Sequence, residues 1–278
     1  MIPLIEAHPE HRKDPAMTLR VNVNADLGEG YGAYRIGDDA AMLDIVRSAN
    51  IACGFHAGDP LVMARTVHLA LARGVSLGAH PGFPDLQGFG RRPMTMSLAE
   101  IEAMVAYQIG ALQAIATAAG GRVSHVKPHG ALSTMAAVDH ALALAIAKAI
   151  KAVDPGLISL APAGSRMVEA GRTLGLAVVE EVFADRNYDD AGALLPRSHP
   201  RALIHVPEEA AEHGLRMLTE GIILSANGRE IPCAARSICV HGDAPGAVAL
   251  AAYLRCFLED HDLEVVPVPE VLGEQNAP

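Results

Sequence analysis

The sequence predicts an α/β fold, a distorted barrel of seven parallel β-strands with helices between them. Short β-branched runs recur along the chain with helix-length segments separating them, the alternation that gives a parallel sheet with right-handed crossovers. Nearly every such run is followed within a few residues by charged or imidazole groups, which a parallel barrel delivers to a single rim. Alanine, valine and leucine dominate, aromatic residues are 4% of the chain and tryptophan is absent, so the core is expected to come from small aliphatic side chains.

Taken in order, the expected strands are residues 20–26, 49–53, 75–79, 123–127, 157–161, 176–182 and 236–241, with a further extended piece at 263–268. Seven strands are one fewer than the usual eight, hence a seven-stranded or distorted barrel. Helix starts are marked by Asp59 ahead of Pro60 and by Ser97 with Glu100 three residues on, a capping box. Helix stops are marked by Gly74, after residues 60–73, and by Gly120-Gly121, after residues 98–119. Residues 207–224 read as helix, and 225–235 as a turn and an irregular piece before the last strand. Stretches 80–96 and 183–203 are longer than ordinary βα connections, and long loops in a compact domain are where function tends to lie. The expected organisation is an N-terminal extension (1–18), one barrel domain (19–268) and a C-terminal tail (269–278).

The chain has 278 residues, half of them apolar, enough for one large core. A net charge of −10 leaves no clustered basic footprint for nucleic acid or an anionic membrane surface. The first sixteen residues lack the apolar stretch of a signal peptide, and no apolar run reaches the roughly 18 to 20 residues of a membrane span. Cys53, Cys233, Cys239 and Cys256 show no C-x-x-C spacing, so a soluble protein of the reducing cytoplasm is expected.

The chemistry collects at the strand ends. The first strand is followed by Asp26 and Glu29, the second by His56 and Asp59, and the third by His80 and Asp85. The fourth supplies Lys127 and His129, the sixth Asp185 and Arg186, and the seventh His241 and Asp243. A single histidine at a strand end is more often a satisfied hydrogen-bonding group, and helix capping competes for Asp59 and Asp243, Asp59 being assigned mainly to it. For the set that reading weakens, because gathering ionisable groups at one barrel mouth costs free energy unless they pair, bind metal or meet a substrate. Asp26, His56 and His80 offer one oxygen and two nitrogens to a metal, but without a helical H-x-x-x-H pair the spacing gives little support and the metal stays open. GEGYG (28–32) is a weak signal and no G-x-x-x-x-G-K-[ST] loop occurs, so ATP binding does not follow from a nucleotide motif.

Seven blocks, VNVNADLGEGYG (21–32), ANIACGFHAGDP (49–60), GAHPGFPD (78–85), FGRRPM (89–94), VKPHGAL (126–132), FADRNY (183–188) and SICVHGDAPGAV (237–248), resemble the LamB/YcsF family over about residues 19–267. The resemblance implies a distorted seven-stranded barrel similar to the glycoside hydrolase/deacetylase barrel, and the activity of the A-type component of 5-oxoprolinase. It implies ATP, with Mg2+, as cofactor, separate B and C components as partners, and hydrolysis of the lactam of 5-oxo-L-proline to L-glutamate. Ala25 and Gly30 stand where the family usually has Cys and Ser, and Ser133-Thr134 where it has Tyr-Asn, which touches substrate contacts near the first and fourth strands.

The expected catalytic set is Asp26, Glu29, His56, His80, His129 and His241. Asp26 with His56 or His80 would deprotonate water, and His129 or His241 would protonate the leaving nitrogen. Lys127, Asp185, Arg186 and Asp243 form the expected substrate-binding set, Lys127 and Arg186 holding a carboxylate or phosphoryl group, with a buried Lys127–Asp185 pair as the competing role. Arg91 and Arg92 are left outside it as surface groups. Two rivals stand beside this reading: a stand-alone metal-dependent amidohydrolase or deacetylase, and a non-catalytic lactam-binding subunit.

Overall fold

The computed structural model describes residues 18–240 and 246–273. Its strands are β1 (Leu19–Leu27), β2 (Ser48–Ala52), β3 (Ser76–His80), β4 (Val123–Val126), β5 (Ile158–Pro162), β6 (Val178–Phe183), β7 (Ile222–Leu224), β8 (Glu230–Pro232), β9 (Ala235–Val240) and β10 (Leu263–Val265). Its helices are α1 (Asp39–Leu43), α2 (Pro60–Leu71), α3 (Leu98–Ala118), α4 (Gly130–Ala136), α5 (His140–Val153), α6 (Arg166–Thr173), α7 (Pro207–Thr219), α8 (Ala247–Asp260) and α9 (Val268–Val271). The expected extension at 1–18 falls, but for Thr18, outside the described residues, as do 274–278 of the expected tail and both His241 and Asp243.

Seven strands close in the order β1-β2-β3-β4-β5-β6-β9, and β9 pairs back onto β1, every pairing parallel. The ladders of β1 with β9 and β2 begin at Asn22 and Asn24, which leaves the first residues of β1 as an open edge. β10 covers that edge in parallel, from Leu19↔Leu263 to Val21↔Val265. Along each strand one set of side chains faces the helices, for instance Val21, Val23, Ala25 and Leu27 on β1, all buried. Valine, alanine, leucine and isoleucine from strands and helices together make the main core that surrounds the barrel.

The sequence signals act locally as expected. The Asp59 carboxylate caps α2 by accepting from the Leu61 and Val62 amides. Ser97 and Glu100 form a capping box at α3, and Gly74 and Gly120 adopt positive φ just beyond α2 and α3. The helix expected over 207–224 ends at Thr219: Gly221 turns at φ 68° and Ile222–Leu224 become β7, an antiparallel hairpin with β8. Three consecutive branched residues followed by a Ser-Ala-Asn-Gly turn favour the hairpin over another helical turn. The expected domain edge at 268 falls at the first residue of α9. Val268 packs on Ile158, Leu160 and Val179 and closes the N-terminal end of the barrel, and its amide donates to Ser48 Oγ. Among the described residues no single helix is long and apolar enough to cross a membrane.

Candidate active site at the C-terminal mouth of the barrel

The other set of strand side chains points into the barrel, and it is polar. At the lower level Asn22 donates to Ser48 Oγ, which bonds Ser76 Oγ, and Ser237 donates to Asn22 Oδ1. One level up Asn24 donates to Glu181 Oε1 at 2.7 Å and to Ser237 Oγ, while Asn50 donates to Asn24 Oδ1 at 2.6 Å and to Asp26 Oδ1 at 2.9 Å. His125 Nε2 sits 3.1 Å from Asn50 Oδ1, and its ring fills the place where a side chain at residue 78 would be, so Gly78 is the only residue type that fits opposite it. Each of these buried groups finds a partner inside the barrel, which is what makes a polar interior tolerable.

Lys127 crowns this network. Its ammonium lies 2.9 Å from Asp26 Oδ1, 3.2 Å from Glu181 Oε2 and 2.9 Å from Cys239 Sγ. With Asn24 Oδ1 further off at 3.4 Å, the three N–H donors have Asp26, Glu181 and Cys239 as their near partners rather than the Asp185 the sequence offered. Burial pushes the Lys127 pKa down, but the charges of Asp26 and Glu181 and the hydrogen bond to Cys239 outweigh it and the net shift is upward. Burial pushes Glu181 up against the opposing pull of Lys127, and burial keeps Cys239 a thiol. The ammonium is thus occupied with holding Asp26, not presented to a substrate anion.

Above Lys127 lie three imidazoles and Glu29. His80 Nε2 is 3.3 Å from Asp26 Oδ2 and 2.9 Å from His129 Nδ1. The His56 and His129 rings stack at 3.7 Å, and His56 Nε2 is 3.5 Å from Glu29 Oε1. His56 is fully buried, and neither of its ring nitrogens has a hydrogen-bond partner among the described residues. Burial first, then the neighbouring imidazoles, depresses the basicity of His56. For His129 the same causes lower the pKa to about 3, against the pull of Asp26. Both rings are therefore neutral near pH 7 and offer lone pairs. Ligand atoms of Glu29, His56, His80 and His129 all lie within 4.8 Å of one another, a grouping able to hold a metal ion. Asp26, which the sequence placed in a metal set with His56 and His80, instead turns Oδ1 to Lys127 and Asn50.

The loop after β3 roofs this cluster. Asp85 is buried and ion-paired to Arg92, accepts from the Gly88 amide and receives the Gly90 amide on its carbonyl. That brace holds Phe89 at φ 54°, a conformation costing a non-glycine residue roughly 1–2 kcal/mol. The Phe89 ring lies edge-on to His56 and His129, its carbonyl meets His129 Nε2 at 2.8 Å, and the Arg91 guanidinium sits over its outer face. Arg92, set aside as a surface group from the sequence, is exposed, and from the surface it braces the buried Asp85. From the loop after β6 comes Arg186, buried, donating to Leu195 O, with Nε unpartnered among the described residues; Asp185 beside it is half-buried.

The mouth therefore gathers Asp26, Glu29, His56, His80, Lys127 and His129 into one cluster, with Arg186 in the neighbouring loop. Sequence reasoning missed Asn24, Asn50, His125 and Glu181, although polar residues at every second position of VNVNAD, and His125 two before Lys127, carried the signal of an inward polar face.

Parallel closure, with imidazoles and carboxylates gathered at the carboxyl ends of the strands, defines a (β/α)-barrel protein. The LamB/YcsF family model matches residues 21–273, and the chain belongs to that family. It is 56% identical over 256 residues to the A subunit of 5-oxoprolinase from Azoarcus sp. (strain BH72), covering 92% of this chain and all of that one. The A subunit of 5-oxoprolinase from Rhodopseudomonas palustris (strain BisB5) is 54% identical over 90% of this chain and 98% of its own. The crystal structure of the lactam utilization protein from Thermus thermophilus superposes with a TM-score of 0.84 at 48% identity, covering 89% of this chain and 99% of that one.

Proposed function

We propose that this chain is the A subunit of a cytoplasmic, ATP-dependent 5-oxoprolinase that opens the lactam of 5-oxo-L-proline to L-glutamate together with B and C subunits. The observation that carries the reading is the buried cluster of imidazoles beside a carboxylate locked by Lys127, found in a chain whose end-to-end relatives bear that name. Hydrolysis of a cyclic amide needs a water oxygen bonded to the carbonyl carbon, the carbon–nitrogen bond broken, and a proton on the departing nitrogen. Coupling to ATP fits, because transfer of a phosphoryl group to the amide oxygen turns a resistant amide into one that water can attack.

In this reading His56 and His80, with Asp26, hold the attacking water and accept its proton, a role typically worth about 10² to 10⁴ in rate. Lys127 holds Asp26 aimed at His80. His129, neutral and hydrogen-bonded through Nε2 to Phe89 O, is a poor proton donor, so the donor role passes to His241. Glu29 completes the cluster. The unpartnered Nε of Arg186 is the group for the substrate carboxylate, and Asp185 and Asp243 complete the substrate set. ATP with Mg2+ enters through the assembled complex.

The test is 5-oxoproline-dependent ATP hydrolysis and glutamate formation by the purified chain, alone and mixed with B and C subunits from the same source. The reading expects both products only in the mixture. Turnover by the chain alone, or none in a mixture that assembles, would refute it.

A further inference from the structure

The hydrogen bonds of two mouth histidines fix where their protons are. His80 Nδ1 is 2.6 Å from the Lys127 carbonyl oxygen and His129 Nε2 is 2.8 Å from that of Phe89. A carbonyl only accepts, so each of those nitrogens carries the N–H. The other nitrogen of each ring, Nε2 of His80 and Nδ1 of His129, has no such carbonyl, and the two face each other at 2.9 Å. Two ring nitrogens at that separation share a proton or lie beside a bound cation.

The surroundings specify what kind. His56 is 0% exposed with both nitrogens unpartnered among the described residues, and its Nε2 looks toward Glu29 Oε1 at 3.5 Å. Glu29 Oε1 is in turn 3.9 Å from His129 Nδ1. Ligands about 2.1 Å from a tetrahedral ion stand about 3.4 Å apart, inside the spread of these separations. A histidine whose far nitrogen donates to a backbone carbonyl is the usual orienting arrangement around a bound metal. The loop backbone presses on the rings from outside: a Cβ at Gly82 would lie 2.7 Å from His56 Nδ1, and one at Gly90 2.7 Å from His56 Cβ and 2.9 Å from His129 Cδ2. The rings are held in place before any ion arrives.

We propose that Glu29 Oε1, His56 Nε2, His80 Nε2 and His129 Nδ1 form a binding site for one divalent transition-metal ion at the barrel mouth. Three imidazole nitrogens and one carboxylate oxygen suit zinc, cobalt, nickel or manganese, and not calcium or magnesium, which take oxygen ligands. The ion satisfies both opposed ring nitrogens and the His56 nitrogen at once. The site shares His56 and His80 with the 5-oxoprolinase reading: with the ion bound their Nε2 lone pairs are taken and Asp26 is left to accept the water's proton, so the test reads binding and not turnover.

The test uses the full chain, purified without an affinity tag, stripped with chelator and titrated with cobalt(II) and zinc. The wild type should take up one equivalent, show the visible absorption of nitrogen-ligated cobalt, and melt at a higher temperature with zinc than without it. His56→Ala, His80→Ala and Glu29→Gln should each weaken binding beyond the roughly 100-fold that loss of an outer-sphere partner costs. His140→Ala, on the surface, should not. Should a variant misfold, the wild-type titration decides alone: no cobalt spectrum and no melting shift would mean that the two rings share only a proton, and would overturn the site. A chain that binds one ion but forms no glutamate with its partners would sink the proposed function and leave the site standing. A chain that takes up no ion in that titration but forms glutamate with its partners would do the reverse.

Discussion

Lys127→Met removes the ammonium from a site where Asp26 and Glu181 are both buried, with Asp26 Oδ1 and Glu181 Oε2 at 2.9 and 3.2 Å from it. Taking one partner from a buried ion pair costs about 3–5 kcal/mol, because the remaining charge is left without compensation. At roughly 2–4 °C per kcal/mol for a domain of this size, the melting temperature should fall by about 6 to 20 °C. The pH dependence has a definite sign. Lys127 is held above its ordinary value, so the stability its charge supplies is fully present below about pH 10.5 and is lost only as pH rises through the raised folded value. Glu181 is likewise raised, so on its own it favours the fold at low pH, and that contribution disappears as pH rises through its folded pKa. Without Lys127 both carboxylates should bind protons more tightly, so the variant's deficit should be smallest near pH 5 and widen toward pH 8. The assay is thermal melting of wild type and variant across that range, with Lys127→Met/Glu181→Gln expected to recover part of the loss. A deficit below about 1 kcal/mol with no pH dependence would refute the ion-pair basis of the barrel interior.

Burial holds His125 at about 3, below its ordinary 6.5. A depressed histidine stabilises above the unfolded pKa and loses that contribution as pH falls, so melting should begin to drop below about pH 6.5 at up to roughly 1.4 kcal/mol per pH unit for this group, a slope that His125→Gln should reduce. Gly78→Ala places a Cβ in the His125 ring, and the overpacking should destabilise by about 1–3 kcal/mol or more in denaturant titration. Ser97→Ala deletes the α3 capping box and should cost about 1 kcal/mol, read as a fall of roughly 2–4 °C in melting temperature.

How much of this was legible in the sequence depended on whether the signal was local. Strand positions were marked by β-branched runs, and helix starts by Asp59-Pro60 and Ser97-x-x-Glu100, because propensity and capping act over a few residues. The mouth residues were legible for a different reason: in a parallel barrel a polar residue just past a strand is carried to the common rim wherever its neighbours lie. Partnership was not legible. Lys127 meets Asp26 and Glu181 across the barrel, and that depends on the register of β1, β4 and β6 after closure, which no short window contains. The polar interior escaped because the strands alternate: valine, alanine and leucine toward the helices dominated the count, while asparagine, serine and histidine at the intervening positions read as ordinary polar residues. The brace of Asp85 on Arg92 that sets Phe89 over the histidines is likewise a tertiary arrangement inside a loop with no periodicity to read.

Whether the cluster around Asp26, His80 and His129 opens the lactam is decided by glutamate formation from 5-oxoproline and ATP in the complex assembled with B and C subunits. Wild type is compared with Asp26→Ala and His129→Ala chains that are shown to assemble. Turnover should fall by about 10² or more for Asp26→Ala, and His129→Ala, which removes the ring that stacks on His56 and meets His80, should lower it as well. Near wild-type turnover in both would place the chemistry elsewhere.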